Sequence, residues 1–297
     1  MRKMQFGIGR TSAIFFALVF DARAQVVDTV FVDDFDRCGD EAQLIYAMDA
    51  NNTLFRFDPR QVAGGNSSIQ SLGAPACNTG TPLSGQFGDT ATVFALAVDD
   101  YGAVWAMFNS GEIFVIDPAT LNCTKKPWTS TQDWQLFNMT FSGNSSTRSQ
   151  YLYVSGGGAT VYEPGNLGRI DLTTLTVQTI DALQGSADSV VPLVSTGKRE
   201  VDGLYPRFTS STHIARIDLA DGSLVGNSVT VPGLGSATLD WAIASWGGTF
   251  WVFLNDGTTT TLTAIDASTG ASTKPLSNIP FVPVAANSST CAPTVVN

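Results

Sequence analysis

The chain offers few residues that are typical catalysts. Histidine occurs once, as His213 in "SSTHIARID". A Ser-His-Asp arrangement would use it as a base, but no Gly-x-Ser-x-Gly nucleophile motif accompanies it. A single histidine beside an apolar run is more typical of a structural side chain, so no catalytic residue is predicted.

Carboxylates provide the other route to chemistry, through a bound cation. The segment "VDDFDRCGDE" contains five acids, Asp33, Asp34, Asp36, Asp40 and Glu41, and calcium binds several oxygen ligands. The spacing lacks the D-x-D-x-D-G calcium loop. A solvated, acidic amino-terminal arm over residues 25–42 is therefore favoured. No cofactor is predicted, and a divalent cation such as calcium is the alternative.

Six tryptophans supply the ring faces on which a flat ligand stacks. Trp241, Trp246 and Trp251 fall within "WAIASWGGTFW", and the other three lie between residues 105 and 134. A spacing of five places consecutive members of the first group on opposite faces of a strand, so they form no single stripe. Most are predicted to pack in the core. The three in this segment are also the candidate ligand-binding residues, since one or two at a loop would stack on a sugar.

A repeated unit must position these residues, and it is clearest in "LAVDDYGAVWAMFNSGEIFVIDPATLN", residues 96–122. Short runs rich in Val, Ile, Phe and Trp alternate with turns of Gly, Asn, Asp and Ser, which is typical of β-hairpins. An apolar residue followed by Asp ends the third run, and the same ending recurs along the chain. These anchoring residues are Asp58, Asp117, Asp171, Asp218 and Asp266. Each is predicted to accept hydrogen bonds from the backbone amides of the turn that follows it.

The spacing of the anchors predicts the fold. They are separated by 59, 54, 47 and 48 residues, and about fifty residues with four strands is the size of a propeller blade. Runs that are apolar on successive residues suit sheets packed on both faces. The sequence therefore predicts an all-β fold, a β-propeller of five four-stranded blades over residues 43–297 as a single domain. Six blades remain the alternative, because the first two intervals are long.

The two ends of the chain are predicted to close the ring. The first unit lacks an innermost strand, and "IPFVPVAAN" near the carboxyl end is a strand without an anchor after it. If this last strand fills the vacant place, Cys38 and Cys291 come together. Cys77 and Cys123, from the outer strands of consecutive blades, then form the second pair. An even number of cysteines in an exported chain favours two disulfides.

The amino-terminal residues are typical of an export signal. Basic residues in "MRKMQFGIGR" precede the apolar run "AIFFALVF", and "ARA" places small residues before a cleavage site near Ala24. Eight apolar residues are too few to span a membrane, which takes about 20. Residues 1–24 are thus predicted to be a signal peptide, and the mature protein to be secreted, either extracellular or periplasmic, without membrane insertion.

The charge of the chain restricts its partners. Removing residues 1–24 takes away four basic residues and one acid, so the net charge goes from −10 to −13. A domain this acidic repels nucleic acid, so a nucleic-acid partner is excluded. The partner is predicted to be a protein or a glycan, and the protein itself a monomer.

An exported chain is also open to glycosylation, in a host that glycosylates. Six N-x-S/T sequons are present. They lie at Asn51, Asn66, Asn122, Asn138, Asn144 and Asn287. In a chain rich in Ser and Thr, several of these arise by chance.

The segment "VDDYGAVWAMFNSGEIFVIDPAT" resembles the blades of the gluconolactonase/regucalcin and streptogramin-lyase (SMP-30/NHL-like) propellers. It has their Asp-x-x-Gly turn, apolar-Trp strand and Ile-Asp-Pro-x-Thr ending. The resemblance covers one blade well and the others only through their anchors. It implies a propeller. The lactonases hold a divalent metal with Glu, Asn and Asp, and their Gly-Glu-x-Pro-x-Trp motif is not matched here. "AIDASTGA" is similar to a quinoprotein docking motif, but Lys274 stands where that motif has Trp.

Two functions remain open at this point. The favoured one is a secreted, non-enzymatic propeller that binds a partner protein or a glycan through the loops at one end of its ring. The alternative is a metal-dependent hydrolase or lactonase with carboxylates converging on the central channel, for which Asp99, Asp100 and Asp240 are the candidate ligands. A channel lined by carboxylates favours the enzyme, and aromatic residues exposed at one rim favour the binding module.

Overall fold

The computed structural model describes most of the chain from Cys38 onward. The described residues are 38–83, 90–131, 134–143, 150–157, 165–195, 197 and 200–295. The predicted signal peptide, residues 25–37 of the predicted arm and the sequon at Asn144 lie outside them. No helix in the described ranges is long and apolar enough to span a membrane.

The described strands form five antiparallel sheets of four strands, which confirms the five-bladed propeller. Blade 1 consists of β1 (Ile45–Asp49), β2 (Leu54–Phe57), β3 (Ile69–Gly73) and the last strand, β20 (Pro283–Ser288). Blade 2 consists of β4 (Val93–Val98), β5 (Val104–Phe108), β6 (Ile113–Ile116) and β7 (Cys123–Lys125). Blade 3 consists of β8 (Phe137–Gly143), β9 (Gln150–Gly156), β10 (Asn166–Ile170) and β11 (Val177–Ala182).

The remaining two blades follow the same order. Blade 4 consists of β12 (Leu193–Ser195), β13 (Val201–Tyr205), β14 (His213–Ile217) and β15 (Leu224–Thr230). Blade 5 consists of β16 (Asp240–Trp246), β17 (Thr249–Asn255), β18 (Thr260–Asp266) and β19 (Ser272–Leu276). Two 3₁₀ helices complete the described elements, Asp40–Gln43 before β1 and Pro59–Ser68 between β2 and β3.

The ring closes as the sequence predicts. β20 pairs antiparallel with β1, from Ile45 opposite Ser288 onward, and so becomes the innermost strand of blade 1. Both predicted disulfides form, Cys38–Cys291 and Cys77–Cys123, with sequence separations of 253 and 46 residues. The first one ties the beginning of blade 1 to the segment that follows β20.

The core lies between the blades. Strands β1, β5 and β13 are buried at every residue, because both faces of their sheets pack against neighbours. One cluster joins Tyr46 and Leu54 of blade 1 to Phe114 of blade 2. By contrast, β15 at the outer edge of blade 4 is exposed along almost its whole length. This gradient explains the runs of successive apolar residues in the inner strands.

The five anchoring aspartates have the predicted role. Each accepts a hydrogen bond through Oδ1 from a backbone amide in the turn that follows the third strand of its blade. The aspartates are Asp58, Asp117, Asp171, Asp218 and Asp266. The donated hydrogen bonds favour the charged carboxylate, and they lower the pKa of four of the five, Asp58, Asp117, Asp171 and Asp266.

The turn after Asp266, whose carboxylate accepts the most hydrogen bonds of the five, predicts an acid-sensitive contribution to stability. The Ser268 hydroxyl and the Thr269 amide donate to Asp266 and lower its pKa from 3.8 to about 2. A lowered pKa means that the contribution is complete above about pH 4 and is lost as the pH falls from about 4 to about 2. We therefore expect Asp266→Asn to lower the free energy of unfolding at pH 6, and this difference to shrink below pH 4. Urea unfolding of both proteins at several pH values measures it. A difference that stays constant down to pH 2.5 would contradict this account.

Candidate functional site

The ring has two distinguishable ends. Four antiparallel strands return the chain to the end at which each blade began, so the innermost strands β4, β8, β12 and β16 all run in the same direction. β20 runs with them and packs against β16 and β4. We call the end at which these five strands begin the open end, and the end at which they finish the closed end.

A single amide occupies the axis of the ring. Asn287 on β20 is 1% exposed, and its Nδ2 lies 3.0 Å from the carbonyl oxygens of Leu96 and Met139 and 3.1 Å from that of Leu193. These carbonyls belong to β4, β8 and β12. The next residue, Ser288, donates its hydroxyl to the carbonyl of Ser245 on β16 at 2.5 Å. Two consecutive side chains thus bond the last strand to the innermost strands of the other four blades.

The burial of Asn287 also settles one sequon. The predicted acceptor nitrogen is the same Nδ2 that the three carbonyl oxygens surround. An oligosaccharide attached there has no room in the folded protein. Of the six sequons, this one is therefore not a glycosylation site of the native state.

The segment of residues 289–295 crosses the closed end. Gln150 of blade 3 donates its side-chain amide to the Thr290 hydroxyl. Gly247, in the turn between β16 and β17 of blade 5, donates its backbone amide to the Pro293 carbonyl at 2.6 Å. The ring-closing disulfide fixes the same segment. Access to the centre of the ring from this end is therefore blocked by the chain itself.

At the open end the innermost strands surround a cavity of about 350 Å³, which we call the funnel. All five blades contribute described residues to its wall. These are Val284 of blade 1; Thr92, Val93 and Phe94 of blade 2; Asn138 of blade 3; Asp188, Ser189, Val190, Pro192 and Phe208 of blade 4; and Leu239, Asp240 and Trp241 of blade 5. Clefts with an apolar wall and a few polar groups are where proteins usually bind small ligands or side chains.

Two aromatic rings form one side of the funnel. Phe208 and Trp241 are half-buried, and their ring centroids lie 5.6 Å apart at an interplanar angle of 59°. The loop that carries Phe208 is held by Asp188, whose Oδ2 accepts the Phe208 amide at 2.7 Å. Arg207 neutralises the same carboxylate, with Nε 3.5 Å from Oδ1. Phe208 is thus presented on a braced loop, and Trp241 lies on strand β16. Leu239, 64% exposed, forms the rim beside them.

Asp240 is the other carboxylate of the funnel. It is the first residue of β16 and is half-buried. Burial raises its pKa above the ordinary range for aspartate, and no other interaction contributes to that shift. Within the described part of the chain its carboxylate receives no hydrogen bond and forms no ion pair. It is therefore available to a donor from outside.

The structure separates the three candidate metal ligands. Asp99 and Asp100 follow the last residue of β4 and so lie at the closed end, whereas Asp240 lies at the open end. Asp99 serves its own turn: Oδ1 accepts the amides of Tyr101 and Ala103, and Oδ2 accepts Trp105 Nε1 at 3.2 Å. Burial nevertheless raises the pKa of Asp99. Among the described residues, no three His, Cys, Asp or Glu side chains converge as a metal site would need.

Of the candidate ligand-binding tryptophans, only Trp241 lies at the funnel. Trp246 donates Nε1 to the Gln43 carbonyl at 2.7 Å, and Trp251 donates to the Trp246 carbonyl at 3.2 Å. The prediction that most tryptophans pack in the core is confirmed. The buried ones, at most 7% exposed, are Trp105, Trp128, Trp134, Trp246 and Trp251.

The sequence analysis predicts only Asp240 and Trp241 as site residues of this wall, and Phe94, Phe208 and Asp188 are among those that it missed. Asp188 lies in the irregular segment before β12 and Phe208 in the loop between β13 and β14, where no periodicity marks them. Asn287 was noticed only as a sequon. An asparagine directly after the small, apolar run "PVAA" of the innermost strand is the signal that could have indicated a buried amide.

Comparisons with known proteins return fold neighbours alone. No family model matches the chain, and no curated protein matches it. A chain of a nidogen/laminin complex is 9% identical with a TM-score of 0.47, over 82% of this chain and 97% of that one. The hydrazine synthase of Kuenenia stuttgartiensis is 14% identical with a TM-score of 0.42, over 80% of this chain and 66% of that one. A candidate 6-phosphogluconolactonase of Bacteroides fragilis is 11% identical with a TM-score of 0.39, over 82% and 70%. Similarity at this level carries no function across.

The axial amide predicts a large effect on stability. Asn287→Ala should lower the free energy of unfolding by about 3 kcal/mol or more, because it leaves buried carbonyl groups without a donor and opens a cavity. Asn287→Asp keeps the shape but faces the carbonyl oxygens with a second acceptor, so it should be at least as harmful. Chemical unfolding of both variants measures this.

Asn51→Ala is the matched control, since Asn51 is exposed and should change stability by less than about 0.5 kcal/mol. If Asn287→Asp unfolded like the wild type, the amide would be a filler of space and not the donor that joins the blades.

Proposed function

We propose that the protein is a secreted, non-enzymatic binding module that holds its partner in the funnel at the open end of the ring. The observation that carries the proposal is the difference between the two ends of the ring. The closed end is crossed by the chain's own carboxyl-terminal segment, while the open end presents a cavity lined by described residues of all five blades. A partner that enters the funnel contacts every blade at once.

The wall of the funnel supports binding in preference to chemistry. The aromatic pair Phe208–Trp241 and the exposed Leu239 give it the apolar area that anchors a partner's side chain. His213, the single histidine, is stacked on Tyr205 with ring centroids 5.2 Å apart. Burial lowers its pKa. It is not among the wall residues of the funnel.

The alternative, a metal-dependent hydrolase or lactonase, receives less support. It would need Asp99, Asp100 and Asp240 to converge, and they lie at opposite ends of the innermost strands. The centre between them is filled by the bonded amide of Asn287. The blade resemblance to the gluconolactonase-type propellers therefore supports the fold rather than that activity.

The disulfides support a place of action in an oxidising compartment. Two disulfides join all four cysteines, and such bonds persist in oxidising compartments. This supports an extracellular or periplasmic protein, as the predicted export signal at residues 1–24 requires.

The proposal predicts that binding depends on Trp241. Labelled oxidised protein is applied to a peptide display library and to a glycan array, and the affinity of each bound species is measured again with Trp241→Ala. Loss of a central aromatic anchor should weaken binding at least tenfold, about 1.4 kcal/mol. Tyr101→Ala is the matched control, because Tyr101 is an aromatic residue, 56% exposed, in the turn after β4 at the closed end. Bound species that are retained equally by Trp241→Ala would overturn the proposal.

A further inference from the structure

Binding by apolar contact alone does not explain why a carboxylate, Asp240, lies in the wall of the funnel. Its carboxylate is half-buried, and within the described residues nothing donates to it. Partial removal of a charged group from water is costly unless a donor or an opposite charge replaces the water. An apolar residue at this place in the wall would avoid that cost.

The charges around the funnel do not compensate for Asp240 from within. Asp188 already has Arg207 at 3.5 Å and the Phe208 amide at 2.7 Å. No lysine or arginine is among the described residues of the wall. The funnel thus has two carboxylates, Asp188 and Asp240, and one guanidinium beside it, that of Arg207, so it carries excess negative charge. The whole chain is acidic as well. A positively charged occupant complements this field.

The aromatic pair favours the same occupant. A cation attracts the negative face of an aromatic ring, most strongly that of Trp, and the attraction grows as water is excluded. A volume of about 350 Å³ is at the small end of ligand pockets, which suits one or two side chains better than a folded element.

Resting on the proposed function, we infer that the funnel receives a lysine or arginine side chain of a partner polypeptide, with its cation held by the Asp240 carboxylate beside the Trp241 ring. The aliphatic stem of that side chain packs on Phe208 and Leu239, as long basic side chains commonly do on apolar surface. The recognised chemistry is an ammonium or guanidinium group on an apolar chain.

The experiment titrates the oxidised protein with three probes while the Trp241 indole signal is followed by NMR. The probes are Nα-acetyl-lysine N-methylamide, its arginine analogue, and Nα-acetyl-norleucine N-methylamide, which has a similar stem without the charge. We expect the basic amides to bind at least tenfold more tightly than the norleucine amide. Asp240→Asn should remove that preference while leaving the norleucine amide's affinity within twofold.

Asp181→Asn is the matched control, because Asp181 is exposed on the outer strand β11 and its substitution changes the net charge equally. It should keep the preference within twofold. If the norleucine amide bound as tightly as the basic ones, with dependence on Trp241, the cation would be wrong and the proposed function would stand. If none of the three perturbed Trp241, the cation assignment would likewise fall, and the library and array result would decide the proposed function separately.

Discussion

The fold depends on one amide at the centre of the ring. Five blades packed side by side have innermost strands whose carbonyl groups face the axis, and these groups need donors once water is excluded. Asn287 supplies a donor group to three of them, and Ser288 reaches a fourth blade. Both residues lie on β20, the last of the described strands. The ring therefore acquires its central hydrogen bonds only when its two ends have joined.

The same closure makes the two ends of the ring different from each other. The chain that follows Asn287 continues across the closed end and is fixed there by the Cys38–Cys291 disulfide. Nothing comparable crosses the opposite end in the described residues, where Trp241 and Asp240 line the funnel. Ring closure and the difference between the two ends of the ring are thus two consequences of where β20 ends. Under the proposed function, stability and recognition are separable: substitutions at the axis act on folding, and substitutions in the wall act on the binding of the partner.

Much of the fold could be predicted because it repeats. The turn after each third strand needs a carboxylate acceptor, so Asp58 and its four counterparts recur at the blade interval. The unpaired last strand and the even cysteine count then predicted closure and both disulfides. The funnel could be predicted only in part. Trp241 was among the candidates, but Phe208 comes from an irregular loop whose position depends on long-range contacts with Asp188. The structure does not bring Asp99 and Asp240 together, because Asp99 follows its innermost strand whereas Asp240 begins its own.

Selective quenching of tryptophan fluorescence tests the central claim, that the described part of the ring is open at one end, at an aromatic, negatively charged mouth. All six tryptophans are described, and five are at most 7% exposed, whereas Trp241 is half-buried at the funnel. The account predicts that one tryptophan is accessible, that caesium quenches it more strongly than iodide, and that Trp241→Phe abolishes the difference. Quenching of several tryptophans, or iodide as effective as caesium, would contradict it.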